Sequence, residues 1–566
     1  MRLKWLFLSL LLSAPAQGAN PPAIFFTDLI SGPNAGGESV SGYSGAYVTI
    51  YGNNFGVSPR VTWNGLDCLR VVSVGENSVN SWMWYEKIVV QFGSDCVPGT
   101  GPLLVTASGR LSVCRDVGIL GNGCRFTVRS GRIYFVSKTG NDKNKGTFAS
   151  PWATVLKARD SMAPGDVTYV ENGICQCTYD GGEWFSYLTL SRQHGTAGEP
   201  LALVVYPGAT ATIGTASPPG LIGIRSTGKT EQTSYWVFAG WTIRSEVLAV
   251  QPYADSNWRL VGNDLSCPNG DGPTGCFESS LWTRSQFLGN NLHDAGRRGA
   301  SAEYQGLYLS TDSNHVEIAW NTVANVLGCR GIQIHSSPQD ATSGYDQYDI
   351  SIHDNVIHDT QCDAIVLATV DPTKGPILIY NNVIYNAGKG NTREGTGAWF
   401  CINAAGYTYK GAASSGSIEV YNNTMYNCGA NTNPPYGSST GGIGNGGHSD
   451  SLKVHIRNNI IYNVNSDAPY WVNLSRNPSG IFGNNNIVYG IGAPPRTTAV
   501  TGTIRSDPSF VSRSTADFRL ASPQSSANSA GDASAPALNY DHDGLVRPSP
   551  PSIGAYEFSG QLQPSD

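Results

Sequence analysis

The sequence is poor in charged residues, and neither sign is in large excess. Asp, Glu, Lys and Arg make up only 14% of 566 residues, too few for long solvent-exposed helices, which depend on Glu, Lys and Ala. The 36 basic and 42 acidic residues leave a net charge of −6, so we expect no basic face for phosphate and no nucleic-acid partner. Glycine (67 residues) and tyrosine (27 residues) are plentiful instead, which favours an all-β protein with many turns.

Beyond its N-terminus the sequence also lacks an apolar run of the ~20 residues that a membrane-spanning helix needs. Residues 1–19 have the pattern of a signal peptide, with Arg2 and Lys4 in the positive region, residues 5–12 apolar, and small residues at 14–16. We therefore expect a secreted protein, extracellular or periplasmic, with its signal peptide removed. No trimerisation coiled coil is present, and we expect a monomer.

The sequence contains no paired CxxC motifs, and Cys175 and Cys177 are too close together for ordinary zinc-finger spacing. Twelve cysteines in an exported chain favour disulfides over zinc. The cysteines are Cys68, Cys96, Cys114, Cys124, Cys175, Cys177, Cys267, Cys276, Cys329, Cys362, Cys401 and Cys428.

A repeat dominates residues 240–489: a short strand is followed by an asparagine and an apolar residue. The repeated asparagines are Asn263, Asn290, Asn321, Asn355, Asn382, Asn423, Asn459 and Asn486. Gly240 fits one rung earlier. Variable spacing around a fixed motif predicts a right-handed parallel β-helix, in which strands stack in register while loops differ in length. Asparagine tolerates the left-handed turn, and its amide can bond the asparagine one rung above.

A β-propeller or a sandwich with Asn-rich turns is the alternative to this reading. A propeller is disfavoured, because its blades need four strands per ~40–45 residues and no such motif is present.

Two cysteines support the same register. Cys329 and Cys362 follow their rung asparagines by eight and seven residues, so they stack on neighbouring rungs and can form a disulfide. Cys267 and Cys276 are expected to close a small loop. A pair between Cys401 and Cys428 is the weaker expectation.

Residues 20–130 have short strands separated by Gly and Asn turns, which predicts a β-sandwich. Residues 46–56, AYVTIYGNNFG, followed by RVTWNG at 60–65, resemble the immunoglobulin-like TIG fold. The resemblance implies a non-catalytic module within which Cys68, Cys96, Cys114 and Cys124 pair.

Residues 131–506 are assigned to the β-helix and residues 507–566 to a C-terminal cap and tail. The stretch 133–173 resembles the opening segment of exported β-helices, with a first strand, glycine turns and a short amphipathic helix. Residues 540–544, YDHDG, fall short of an EF-hand loop, so a buried turn is favoured, while Ca²⁺ stays a candidate cofactor.

Over residues 133–558 the architecture resembles that of pectate, alginate and chondroitin lyases, polygalacturonases and related carbohydrate-active proteins. No catalytic motif of such a family is present, so the resemblance implies a polysaccharide partner and leaves the reaction open.

Strand alternation then places a candidate site. It puts six apolar side chains inside the coil: Leu307, Leu309, Ile332, Ile334, Ile365 and Leu367. The polar side chains expected outside are Tyr308, Ser310, Gln333, His335 and Asn403. Arg330 and Asp363 occupy matching positions one rung apart at the strand entrance. They could also be a simple surface ion pair, and His335 an ordinary exposed residue.

Two reactions fit such a face. β-Elimination from a uronic acid needs a cation for the sugar carboxylate and a group that moves the adjacent proton. Hydrolysis needs two carboxylates, ~5–5.5 Å apart for retention or ~6.5–9.5 Å for inversion, for which Glu303, Asp312, Asp363 and Asp371 are candidates. A non-catalytic glycan-binding protein or adhesin is the third reading.

We place β-elimination first. The catalytic candidates are His335, Arg330, Tyr308, Asp363 and Lys374. The substrate-binding candidates are Arg297, Arg298, Glu303, Gln333, Asn403, Trp399 and Tyr407. The aromatic side chains among these, with Tyr409, are expected to stack on sugar rings.

Overall fold

The computed structural model describes residues 20–75, 82–182, 185–191, 193–217, 222–227, 233–300, 303–336, 347–390, 399–404, 416–429, 440–444, 453–464, 472–473, 480–492, 499–536 and 538–560. The signal peptide expected over residues 1–19 lies outside these ranges, as do Tyr407 and Tyr409.

The N-terminal module consists of ten strands. They are β1 (Ala23–Thr27), β2 (Ser31–Gly32), β3 (Tyr43–Asn53), β4 (Arg60–Trp63), β5 (Leu69–Gly75), β6 (Glu86–Gly93), β7 (Gly99–Ala107), β8 (Arg110–Leu111), β9 (Val113–Cys114) and β10 (Arg125–Val128). One sheet has the order β5-β6-β3-β1-β9, and the other has β2-β10-β7-β4 with β8 paired to β7. The predicted β-sandwich is confirmed, while its identification as a TIG module remains a prediction.

In its described residues, the central body contains one short helix and thirty-four strands. They are β11 (Ile133–Val136), α1 (Val155–Ser161), β12 (Val167–Val170), β13 (Cys175–Gln176), β14 (Ser186–Leu190), β15 (Leu201–Val205), β16 (Thr212–Ile213), β17 (Ile222–Ser226), β18 (Trp236–Ala239), β19 (Thr242–Arg244), β20 (Val250–Gln251), β21 (Arg259–Val261), β22 (Asp264–Cys267), β23 (Gly275–Ser279), β24 (Thr283–Leu288), β25 (Asn291–Ala295), β26 (Gln305–Ser310), β27 (Asn314–Ala319), β28 (Thr322–Val326), β29 (Ile332–His335), β30 (Ile350–His353), β31 (Val356–Thr360), β32 (Ile365–Leu367), β33 (Ile377–Tyr380), β34 (Val383–Tyr385), β35 (Trp399–Asn403), β36 (Ser417–Tyr421), β37 (Thr424–Tyr426), β38 (Thr440–Gly444), β39 (Lys453–Arg457), β40 (Ile460–Asn463), β41 (Val472–Asn473), β42 (Ile481–Asn484), β43 (Ile487–Gly490) and β44 (Val500–Thr501). A final hairpin follows, β45 (Phe510–Ser512) with β46 (Asp517–Leu520).

These strands form three long parallel sheets, each of which takes every third strand of the chain. Sheet 1 has 13 strands, starting β11-β12-β15; sheet 2 has 11, starting β13-β16-β19; and sheet 3 has 10, starting β14-β17-β20. The predicted right-handed parallel β-helix is therefore confirmed. The six apolar side chains assigned to the coil interior are all wholly buried, as the alternation predicts.

A ladder of asparagine side chains runs along the turn between sheets 1 and 2. Each amide nitrogen donates to the side-chain oxygen of the next ladder residue, as from Asn321 to Asn355 at 2.9 Å, and the series is unbroken from Asn263 to Asn486. The ladder residues are buried. The register predicted for the eight asparagines is confirmed, while the rung assigned to Gly240 is displaced by one residue, to Trp241.

We expected the repeated asparagine to adopt the left-handed backbone conformation, but its preceding residue does so instead. The residue before each ladder asparagine has the positive φ, as at Trp320 (56°) and Asn381 (53°). Gly240 (φ 76°) occupies this position, and Trp241 takes the ladder position at the start of the series. The reason is geometric: the ladder side chain must point into the turn, while the left-handed residue points outward.

All twelve cysteines are paired. The predicted bonds Cys329–Cys362, Cys267–Cys276 and Cys401–Cys428 are present, as are Cys68–Cys96 and Cys114–Cys124 in the sandwich. Cys175 pairs with Cys177. Six disulfides are consistent with an oxidising, extracellular compartment.

Two of the three sheets are covered on their outer faces. The sandwich shares a buried apolar cluster with sheet 1, in which Phe26 packs on Trp320 with ring centroids 5.2 Å apart. The C-terminal segment packs on sheet 2, for example Phe518 and Ala555 against Val383. Neither cluster includes a side chain of sheet 3 within the described part of the chain.

The outward-pointing left-handed residues fasten the C-terminal segment. The side-chain amides of four such residues each donate to a backbone carbonyl of residues 530–552: Asn381 to Tyr540, Asn422 to Ser552, Asn458 to Asp532 and Asn485 to Ala530. The segment is thus bound along the side of the coils by a regular row of hydrogen bonds.

The sandwich, sheet 1 and the C-terminal segment meet at a buried ionic junction. Arg115 of the sandwich contacts Asp354 at 3.0 Å and also donates to the Asp541 carbonyl. His353 lies between Glu317 (3.0 Å) and Asp354 (2.8 Å). Burial opposes a charge on its ring, but these two carboxylates raise the pKa of His353. The expected buried turn at residues 540–544 is confirmed, because Asp541 and His542 are wholly buried.

Replacing Asn321 by Ala tests the ladder. The change removes the acceptor of the Asn290 N–H (2.8 Å) and the donor to the Phe287 carbonyl (2.9 Å), both buried. Each buried group left unpaired costs about 1–3 kcal/mol. We expect a lower thermal midpoint by circular dichroism, and no change for the exposed control Asn269→Ala. Equal midpoints for the two variants would contradict a stabilising ladder.

Replacing Arg115 by Ala tests the junction. A buried carboxylate, that of Asp354, then loses its guanidinium, a loss of about 3–5 kcal/mol in the free energy of unfolding. Urea unfolding followed by tryptophan fluorescence measures it. The matched control is Arg60→Ala, whose partner Asp67 is exposed, and it should have little effect because water screens that pair.

Candidate functional site

A column of outward side chains runs along sheet 3, which neither the sandwich nor the C-terminal segment covers within the described residues. Tyr308, Gln333, Val366 and Asn403 are nevertheless buried. Register pairs Glu278 with Tyr308, Tyr308 with Gln333, Gln333 with Val366, and Val366 with Asn403. His335 pairs with Ser310 two residues further along the strands. The face predicted from alternation is therefore present.

Tyr308 and His335 make direct contact across neighbouring rungs. The phenol oxygen of Tyr308 lies 2.9 Å from Nδ1 of His335, within hydrogen-bond distance. Stacked rungs hold both side chains, since Tyr308 is on β26 and His335 on β29. The expectation of an ordinary exposed His335 is not met, because its ring is largely buried and paired.

The electrostatic setting keeps the His335 ring neutral. Burial and the positive charge of Arg330 lower the pKa of His335 to about 4, while Glu303 acts in the opposite direction. A neutral imidazole near neutral pH can accept a proton, which an imidazolium cannot.

Arg330 lies between two carboxylates at the entrance edge of sheet 3. Its Nη1 is 2.7 Å from Glu303 and 2.6 Å from the Gln333 amide oxygen, and its Nε is 3.7 Å from Asp363. The last distance is an ionic contact beyond hydrogen-bond range. The ion pair expected at the surface is in fact buried: the Arg330 side chain is 14% exposed and that of Asp363 is 0%.

Asp363 is held by backbone and side chain together. Its Oδ1 accepts the Phe400 N–H at 2.8 Å, and Asn403 also bonds its carboxylate. Burial raises the pKa of Asp363 to about 6, although Arg330 and these hydrogen bonds oppose the rise. Seven predicted residues therefore form one cluster on consecutive rungs: Glu303, Tyr308, Arg330, Gln333, His335, Asp363 and Asn403.

The other basic candidates lie outside this cluster. Arg298, on the same loop as Glu303, is exposed and bonds only Gln361, at 3.5 Å, among the described residues. Arg297 is exposed and paired with Asp271. Lys374 is in the turn that leaves sheet 3 for sheet 1, at the opposite edge from Arg330. Strand β32 separates the two edges, and the catalytic role of Lys374 remains a prediction.

Trp399 cannot stack on a sugar, which corrects another prediction. It is fully buried, and its indole N–H donates to the Gly390 carbonyl at 2.8 Å. Alternation along the strand did not reveal this, because the burial depends on a turn outside the strand: Gly388 lies against the Trp399 Cβ, and the Gly390 carbonyl accepts from the indole. Among the carboxylates, Asp312 is buried, and Asp371 accepts from its own turn residue Thr373.

Sequence reasoning missed the N-terminal continuation of this column. Arg225 pairs in register with Gln251, and Gln251 donates to Glu278 at 3.3 Å, one rung before Tyr308. The signal was present, because the same alternation that places Tyr308 outside also applies to these shorter strands. The irregular spacing of the early coils concealed it.

No group of three or more His, Cys, Asp or Glu side chains suited to a metal ion is found among the described residues. The role of Ca²⁺ therefore remains a prediction. Within the same residues, no helix is long and apolar enough to cross a membrane.

No protein-family model matches the sequence, and neither does any curated protein. Several solved structures are similar. They include a pectate lyase, Pel9A (15% identity, 76% of this chain and 97% of that chain, TM-score 0.49). An alginate lyase from Paenibacillus follows (11%, 61% and 94%, TM-score 0.37), with a GH136 lacto-N-biosidase from Eubacterium ramulus (12%, 66% and 67%, TM-score 0.40). None of these scores reaches 0.5, so their substrates describe those proteins alone.

NMR titration of the imidazoles tests the electrostatics of the site. His335, assigned by its loss in His335→Gln, should titrate near pH 4. Replacing Arg330 by Gln removes a nearby cation, so the pKa of His335 should rise toward the ordinary ~6.5. Arg297→Gln, at an exposed pair, should leave it unchanged. A wild-type midpoint near the ordinary value would contradict this arrangement.

The same shift has a consequence for stability. The unfolded chain binds this proton more readily than the folded protein, so stability is lost as the pH falls from ~6.5 through about 4.

Proposed function

We propose that the protein is a secreted enzyme that cleaves a uronic-acid-containing polysaccharide by β-elimination on the outer face of sheet 3. The observation that carries the proposal is the Tyr308–His335 contact of 2.9 Å, made by an imidazole that is neutral at neutral pH. A proton-accepting pair, on a sheet that neither the sandwich nor the C-terminal segment covers in the described residues, supplies what this reaction needs first.

The proton balance of the reaction is simple. The Tyr308 oxygen takes the proton from the carbon next to the sugar carboxylate and passes its own proton to Nδ1 of His335. The electron pair forms a carbon–carbon double bond, and the glycosidic oxygen leaves from the adjacent carbon. The imidazolium of His335 then returns a proton through Tyr308 to that oxygen, so no water is consumed.

The carboxylates of Glu303 and Asp363 flank Arg330 and balance its positive charge, so the group has little net charge to offer a uronate. Its role in this proposal is to position Gln333 and to keep His335 neutral. Arg298 is better suited to meet the sugar carboxylate: it is exposed, lies on the Glu303 loop, and pairs with no carboxylate among the described residues.

Hydrolysis is the second candidate, and one observation favours it. Glu303 and Asp363 face the same guanidinium, and the raised pKa of Asp363, about 6, suits a general acid. Against it, the Asp363 carboxylate is wholly buried and reaches no substrate in this conformation. A non-catalytic glycan-binding protein is the third candidate.

Turnover by the variants Tyr308→Phe and His335→Ala tests the proposal. Each should lower kcat by about 10²-fold or more, because a positioned proton-transfer group contributes about 10²–10⁴-fold. Rates are followed as absorbance of unsaturated ends on pectate, alginate and chondroitin. The acid limb of kcat/KM should lie near pH 4, set by the pKa of His335.

The control is Arg60→Ala, because Arg60 lies in the sandwich, away from the cluster, and is paired with the exposed Asp67. Its rate should stay near that of the wild type, and circular dichroism should show all variants folded. New reducing ends without absorbance would select hydrolysis. Binding of a polysaccharide without either product would contradict the proposal that the protein is an enzyme. Near-normal rates for both Tyr308→Phe and His335→Ala would refute an active site at these two residues.

A further inference from the structure

Two exposed aromatic rings stand at the N-terminal end of sheet 3. Tyr179 is 45% exposed and Phe185 is 68% exposed. Their rings lie nearly parallel, 17° apart, with centroids 5.8 Å apart. An exposed pair of stacked aromatic rings offers flat apolar surface without being part of the core.

The described residues on both sides of this loop, Asp180 and Phe185, are anchored by hydrogen bonds. The Asp180 carboxylate, 1% exposed, accepts from the Thr189 backbone N–H at 2.6 Å and from Arg159 of α1 at 2.9 Å. The Phe185 carbonyl accepts the Ile222 N–H of the next rung at 2.9 Å.

The backbone of Phe185 is in an unusual conformation. Its φ is +52°, in the left-handed region that bulky residues avoid. Residues are held in such conformations at binding sites more often than elsewhere. This anchored position thus keeps a large apolar side chain in solvent at a conformational cost.

The rings lie at one end of the same polar column that ends at the candidate site. Thr189 pairs with Arg225, Arg225 with Gln251, and Glu278 with Tyr308. The loop before β14 is also at the same edge of sheet 3 as Arg330 and Glu303, because all three connect sheet 2 to sheet 3. From β14 to β26 are four rung steps, about 19 Å at ~4.8 Å per rung.

We propose that Tyr179 and Phe185 form a remote sugar-binding platform, and that one glycan chain lies along sheet 3 from this platform to Tyr308 and His335. The sugar ring stacks on the aromatic faces, while the guanidinium, amide and carboxylate of Arg225, Gln251 and Glu278 bond the hydroxyl groups of the intervening units. Because this column contains a cation, a neutral amide and an anion, it suits the hydroxyl groups of a sugar and does not select a ligand by the sign of its charge. The inference rests on the proposed function only where it places the other end of the glycan at Tyr308 and His335. Binding of sugar at the platform itself requires no turnover.

A chain bound at both ends of this span must contain several sugar units. The platform therefore favours long substrates and cleavage within a polymer. Short oligosaccharides that fill only the Tyr308–His335 end gain nothing from it.

The test compares Phe185→Ala and Tyr179→Ala with the control Phe148→Ala, another exposed aromatic residue (42% exposed) of the N-terminal region. The measured quantity is the ratio of kcat/KM for polymer to that for di- and trisaccharide. It should fall about two- to tenfold in the platform variants, as expected for one lost aromatic contact of ~0.5–1.5 kcal/mol. The control should keep the wild-type ratio, and an unchanged ratio in both platform variants would overturn the platform.

Affinity electrophoresis in gels that contain pectate, alginate or chondroitin separates this inference from the proposed function. If no polymer is cleaved but the wild type is retarded and Phe185→Ala is not, the platform stands and the proposed reaction fails. If wild type and variant migrate alike in every gel, the platform is overturned. The platform would also be overturned if Phe185→Ala kept the wild-type affinity for polysaccharide but lost binding to phosphatidylglycerol vesicles.

Discussion

The structure depends on the pairing of one coil with the next at a fixed register. Backbone hydrogen bonds join successive strands in all three sheets, and the asparagine ladder repeats the same spacing through side chains in the turn between sheets 1 and 2. A buried amide that bonds both neighbours and the backbone tolerates no slip by one residue. Because the register is fixed, a residue's place in its strand determines whether it faces the core, the sandwich or solvent.

The candidate site follows from that constraint. Tyr308 and His335 come from strands 27 residues apart in the chain, yet the stacking of β26 on β29 brings their polar atoms to 2.9 Å. Among the described residues, the sandwich packs on sheet 1 and the C-terminal segment on sheet 2, so neither module lies over the site. A rigid scaffold is a general way to position polar groups for a ligand.

Periodicity explains how much the sequence could predict. The ladder, the inward residues and the outward row at Tyr308, Gln333 and His335 all depend on a period that is visible in the residues themselves. The burial of Trp399 depends on a turn outside its strand, and the balance of the Arg330 charge depends on a loop that brings Glu303 back to the strand. Neither the turn nor the loop repeats along the sequence, so no periodic pattern could predict its effect. The Arg115–Asp354 contact spans 239 residues and joins modules whose docking no local pattern encodes.

The ionic junction also constrains the order in which the chain can reach its final state. Trp84 of the sandwich stacks on His542 with ring centroids 4.8 Å apart, and Asn53 donates to the Asp543 carbonyl. The sandwich is therefore made well before the coils and the C-terminal segment on which it docks. Until those residues are made, Arg115 has neither the Asp354 carboxylate nor the Asp541 carbonyl to bond. Formation of the junction must follow synthesis of all three parts.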